Sequence, residues 1–233
     1  MIILALDATA IASSVALLRD GVCLCKAQNL DAGTHSCTLL PTVERLLNQT
    51  GLAVEDIDLF AASAGPGSFT GVRIGAATLK GLAFGQNKPC VPVSALCALA
   101  YNLRDFDGVV CALMDARRGQ FYTATFKIEN GKVTRLSPDA AESGEEIAAR
   151  LAGCPSVTLV GDGAEAALRY FGENAHLCAP VYRLCDGESV ARLAAEAFER
   201  GEFVSDTEFA PTYLRLPQAE RERLEKLKNG EKK

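Results

Sequence analysis

Apolar positions along this chain alternate between runs of strand length and stretches with helical spacing, and the order of the two repeats once. Runs at 2–8, 13–18 and 22–28 predict three strands, with Arg19-Asp20-Gly21 supplying hairpin-turn chemistry between the second and third. A helix is predicted over 35–50, where Leu39, Leu40, Val43, Leu46 and Leu47 form one broad apolar face and Gly51 provides the stop. Pro41 lies inside it, which requires either a kink or a regular helix beginning nearer Thr38. A strand at 57–63, a helix at 70–86 and a strand at 90–93 complete the first half, and helix 94–103 bridges to the second. There the pattern predicts strands 109–115, 120–128 and 132–136, with an Asn130-Gly131 turn, then helix 145–152, strand 156–161 and helix 164–171. A further helix at 188–200 has Val190, Leu193, Ala194, Ala197 and Phe198 on one face. The two opening strands align: Ile3-Leu4-Ala5-Leu6-Asp7-Ala8 with Cys111-Ala112-Leu113-Met114-Asp115-Ala116. Each ends in an aspartate and leads into a hairpin. The chain thus reads as a duplicated βββαβα plan, with units at 1–105 and 106–214 and a charged tail at 215–233.

Between the fourth strand and the second helix stands Ala64-Gly65-Pro66-Gly67-Ser68-Phe69-Thr70-Gly71-Val72-Arg73-Ile74-Gly75. A strand that turns through glycines into a helix leaves free backbone N–H groups at the helix start, which suits an anion or a close backbone neighbour. The spacing is not a dinucleotide fingerprint, because the third glycine comes one residue late. No Gly-Lys-Ser or Gly-Lys-Thr follows, so it is not a P-loop either.

Composition narrows the function classes. The chain has 233 residues, 48% of them hydrophobic, enough for a substantial core, and no apolar run reaches spanning length. Its N-terminus lacks the basic region and cleavage site of a signal peptide, so a cytoplasmic protein without a membrane partner is expected. Nine cysteines in a chain this long read as reduced core thiols. The formal charge of −5 argues against nucleic-acid binding across the whole surface, although residues 215–233 carry a local +3.

The words around the glycines resemble the signature of the TsaB family, formerly YeaZ. Met1 to Thr9 is similar to that family's opening strand, Thr34-His35-Ser36 with Leu39-Leu40-Pro41 to its first helix, and Pro211-Thr212-Tyr213-Leu214-Arg215 to its closing segment. The resemblance implies an α/β fold of the actin/Hsp70/sugar-kinase (ASKHA) type, the second unit reduced, with a cleft between the two halves. It further implies a non-catalytic subunit that binds TsaD through a helical bundle. With the ATPase TsaE, such a subunit supports threonylcarbamoylation of adenosine 37 in tRNAs that read ANN codons. ATP is then used by the complex, this chain alone holds no cofactor, and without TsaD it pairs with itself. Under that reading the partner interface comprises His35, Leu39, Leu40, Val43, Phe69, Val72, Arg73 and Ala76, with Phe69 and Arg73 as anchors.

Two other readings stay open. The first is a small-molecule kinase or ATPase using Asp7 and Asp115, with Thr9, Gly65 and Gly67 completing a vestigial or working nucleotide cleft. The second is an M22-like metal-dependent peptidase. It is disfavoured because the chain has two histidines in all, and TsaD-like enzymes hold their metal with two on the first helix. No metal site and no catalytic residue is expected.

Overall fold

The computed structural model describes residues 1–30 and 35–215. The tail predicted at 215–233 therefore lies outside the described residues, apart from Arg215.

In the first half, β1 (Ile2–Asp7), β2 (Ser13–Arg19) and β3 (Val22–Asn29) form an antiparallel meander. Its second turn is left-handed at Asp20 and Gly21, with φ of 50° and 78°, as a tight hairpin needs. Helix α1 (His35–Thr50) follows, then β4 (Leu59–Gly65), α2 (Phe69–Ala83) and β5 (Cys90–Ser94). Strands β4 and β5 add in parallel, giving the sheet order β3-β2-β1-β4-β5. Helix α1 runs from His35 through Pro41 to Thr50, so the regular helix begins at His35 and not nearer Thr38. It ends at Gly51 (φ 67°), where the Leu52 amide reaches back to the Leu47 carbonyl at 3.1 Å.

After α3 (Ala95–Tyr101), the second half repeats the plan. It has β6 (Gly108–Asp115), β7 (Gln120–Glu129), β8 (Lys132–Arg135) and β9 (Ala140–Ser143), then α4 (Gly144–Leu151), β10 (Val157–Val160), α5 (Ala164–Ala167) and β11 (Ala175–Leu177). The order β8-β7-β6-β10-β11 matches the first sheet strand for strand. This half is trimmed, since its last strand has three residues and the predicted helix 164–171 is one helical turn followed by a 3₁₀ turn.

Alternation along the strands sorts the core into layers. Leu4 and Leu6 of β1 face α1 and α2, where Leu39, Val43, Leu46 and Leu79 meet Phe60. Ile3 and Ala5 face the opposite layer, which holds α6 (Gly187–Glu199) with Val190, Ala191 and Ala194. The second sheet is covered by α3 on one face and by α4 and α5 on the other. The helix at 188–200, grouped by chain order with the second unit, thus packs on the first sheet. It also joins the bridge: Ser189 donates to Asn102 Oδ1 at 2.7 Å, and the Tyr101 hydroxyl donates to Glu196 at 3.1 Å. Residues 204–212 return to the first half as well, with Phe209 buried in its core. No helix among the described residues is long and apolar enough to cross a membrane.

Candidate functional site

Between the halves lies a cavity of about 560 Å³, walled by the loops after β1 and β4, the β6–β7 hairpin, Asp162 and the closing segment 212–215. The two internal repeats therefore meet at their strand ends, where a fold of this plan places a ligand.

The glycine loop has a structural explanation. A Cβ on Gly71 would sit 1.9 Å from the Ala8 carbonyl oxygen, one on Gly67 2.4 Å from that of Thr9, and one on Gly65 2.5 Å from that of Thr212. Each glycine therefore admits a passing backbone. The Ser68 amide completes the junction by donating to the Thr9 carbonyl at 2.7 Å, and the Ser68 hydroxyl caps α2 at Gly71. The second half repeats this device, where a Cβ on Gly161 would sit 2.0 Å from the Leu113 carbonyl.

The two strand-end aspartates have different surroundings. Asp7 is 1% exposed and forms no part of the cavity wall. Its Oδ1 accepts from the Thr9 amide at 3.1 Å, and the Thr9 hydroxyl donates to the carboxylate at 3.1 Å. Burial pushes the Asp7 pKa up, with the Ser63 hydroxyl and the Thr9 groups pulling back. Behind it, the Cys185 thiol lies 3.9 Å from the Thr9 hydroxyl, itself held well above the usual thiol range by burial and then by Asp7. Asp7 thus caps its own turn, and Thr9 lines the cavity where the Asp7 carboxylate does not. Asp115, by contrast, is exposed on the wall and accepts from the Arg117 amide at 2.7 Å. Beside it, Asp162 accepts from the Asp115 amide at 3.3 Å.

Surrounding protein raises the Asp162 pKa to about 6 and the Asp115 carboxylate adds to the rise, although the side chain still meets solvent. An unfolded aspartate titrates near 3.8. Between these values the folded chain keeps a proton that the unfolded chain has lost, so Asp162 lowers stability as pH rises from about 4 to about 6. Replacing Asp162 with Asn is expected to stabilise the chain more at pH 7 than at pH 4. Denaturant midpoints at the two pH values measure this, and an equal effect at both would refute it.

The residues expected at the partner interface divide by exposure. Leu39, Val43, Val72 and Ala76 are buried inside the first half, as is most of His35, so they present no contact surface while that core is packed. Packing against the sheet takes up most of the apolar face of the two helices. His35 tethers α1 instead, its Nε2 donating to the Ala10 carbonyl at 3.0 Å. Leu40 is 51% exposed, and Arg73 and part of Phe69 also reach the surface. Sequence reasoning passed over Ala77 and Gly81, exposed one and two turns beyond Arg73 along α2. All nine cysteines are free, and no group of three potential metal ligands converges among the described residues.

Comparison with known proteins agrees with this geometry. The family model for TsaD, tRNA N6-adenosine threonylcarbamoyltransferase, matches residues 29–221. The curated tRNA threonylcarbamoyladenosine biosynthesis protein TsaB of Bacillus subtilis is 39% identical over 60% of this chain and 61% of its own length. Alignments to the TsaB proteins of Bacillus subtilis, Haemophilus influenzae and Escherichia coli span between about half and three fifths of those proteins. The solved structure of YeaZ from Pseudomonas aeruginosa superposes with a TM-score of 0.80 at 31% identity, covering 91% of this chain and 99% of that one. At the level of fold alone, component A of the Acidaminococcus fermentans (R)-2-hydroxyglutaryl-CoA dehydratase gives a TM-score of 0.51 at 13% identity, covering 84% of this chain and 98% of that one. Two matching sheets, their facing cleft and these likenesses make the fold actin/Hsp70/sugar-kinase-like. The glycine loop, the closing segment and likeness along nearly the whole of YeaZ lead to one assignment: this chain belongs to the TsaB (YeaZ) family.

Proposed function

We propose that this chain is a non-catalytic subunit in threonylcarbamoylation of adenosine 37 of ANN-reading tRNAs, and that it holds TsaD in its active arrangement. The observation that carries the reading is the inward-turned Asp7. The carboxylate at the end of the first strand is spent on Thr9 and kept off the cavity, so the kinase or ATPase reading lacks the first of its two acids. Similarity to TsaB proteins, which bear the name of this biosynthesis, supplies the pathway. TsaD then provides the metal and the transfer chemistry, TsaE the ATP turnover, and tRNA is met through the complex. Contact with TsaD runs through the outer faces of α1 and α2, around Leu40, Arg73 and Ala77. The same face serves self-association when TsaD is absent.

Reconstitution tests the reading. Purified TsaD, TsaE, the donor-forming enzyme, ATP, threonine, bicarbonate and tRNA are expected to give modified adenosine only when this chain is present. Equal modification without it would overturn the proposal.

A further inference from the structure

The closing segment crosses the molecule, and nearly all of it is fastened to the first half. Val204 and Cys90 exchange two backbone hydrogen bonds of 2.9 Å. Lys80 Nζ donates to the carbonyls of Thr207 and Phe209 at 3.0 and 3.1 Å. The Thr212 amide donates to the Ala64 carbonyl at 2.7 Å, and Gly65 lacks the Cβ that would strike the Thr212 carbonyl. Tyr213 then lies on α2. Its ring centroid is 5.1 Å from that of Phe69, and its hydroxyl accepts from Arg73 Nε at 2.9 Å. The Arg73 guanidinium completes the stack 3.9 Å above the Phe69 ring.

Two residues later the chain reaches the other side. Arg215 Nη1 donates to the Ala116 carbonyl of the second half at 2.9 Å. Ala116 opens the β6–β7 hairpin loop, where Arg117 and Arg118 both adopt left-handed backbone conformations, with φ of 64° and 58°. Such conformations are costly for arginine and persist only where the surroundings hold them. Locally, the holding contacts are the Ala116 amide to the Gln120 carbonyl at 3.0 Å, the Gln120 amide to the Arg117 carbonyl at 3.3 Å and the Arg117 amide to the Asp115 carboxylate at 2.7 Å. The charge-assisted bond from Arg215 adds an anchor from outside the loop.

We propose that Thr212–Arg215 is an interlobe strap: it ties the 116–119 loop of the second half to the glycine loop and α2 of the first, and so fixes the width of the cleft. One end bears on Phe69 and Arg73, the other on the loop beside Asp115, and the strap itself forms part of the cavity wall. The cleft is then held at its spacing by contacts within the chain itself, with no ligand needed to draw the halves together. The strap acts within one chain and requires no partner.

The test uses the full chain with Arg215→Ala and Arg215→Lys. Loss of a charge-assisted hydrogen bond should speed amide exchange at Ala116 and Gln120 about tenfold in Arg215→Ala, and Arg215→Lys should restore much of the protection. Spin labels on unnatural ketone side chains introduced at Thr70 of the first half and Arg118 of the second, both exposed, should give a broader distance distribution in Arg215→Ala than in the parent. Protection of β1 and β4 should stay as in the parent. Unchanged exchange at the loop, an unchanged distance distribution, or exchange rising evenly across both sheets would each overturn the strap.

Discussion

Gly71→Ala is expected to cost about 3 kcal/mol of stability or more, while Gly81→Ala ten residues along the same helix is expected to add about 0.5 to 1 kcal/mol. The opposite signs follow from what each new methyl meets. At Gly71 it would lie 1.9 Å from the Ala8 carbonyl oxygen, a backbone atom on the β1–β2 loop, so either the helix start or that loop has to shift. A shift there also strains the Ser68 amide bond to Thr9 and the turn in which Thr9 holds Asp7. At Gly81 nothing lies within 4 Å and the position faces solvent, so alanine brings only its better helix propensity and a less disordered unfolded chain. Denaturant unfolding of both variants beside the parent measures the pair. Gly71→Ala as stable as the parent would mean that the loop junction is not close-packed, and the glycines would need an explanation in ligand binding.

That contrast bears on how far the glycine signature can be read from sequence. A helix start set among glycines is compatible with an anion or with a backbone neighbour, and spacing alone does not separate them. The deciding contacts come from Ala8, Thr9 and Thr212, residues distant along the chain, so the choice lies in tertiary structure. Element order was far more legible. The continuous apolar runs of β1 and β6 and the turn pairs Asp20-Gly21 and Asn130-Gly131 specify where strands run and reverse, because those signals are local.

Strands β9 and β11 escaped for the converse reason. Ala140-Ala141-Glu142-Ser143 has no strand propensity and is extended because it pairs with Gln120–Thr123 of β7. Ala175-His176-Leu177 is three residues held in parallel beside β10. A broad apolar stripe on α1 looks the same in sequence whether its residues meet a sheet or a second chain. Here Leu39, Val43, Leu46 and Leu47 all turn to the sheet, and Leu40 alone among the stripe's large residues faces out.

Leu40 and Val72 therefore separate interface from core, and an aspartate at each should fail differently. Val72 is 1% exposed, and an unpaired carboxylate there costs several kcal/mol, a large share of what a domain of this size has. Val72→Asp is expected to lose cooperative unfolding and to bind nothing, which says nothing about a partner. Leu40→Asp places the charge on the surface, so the melting curve should stay close to that of the parent. If α1 and α2 form the bundle face, a desolvated carboxylate at its centre should weaken TsaD binding about thirtyfold or more, the loss of a contact worth about 2 kcal/mol or above. Arg73 should contribute less than its type suggests, because its guanidinium is already committed to Phe69 and Tyr213 within the chain. Titration calorimetry with purified TsaD measures both variants. Parent-like affinity for a folded Leu40→Asp chain would remove the outer face of α1 from the interface and leave the partner to another surface.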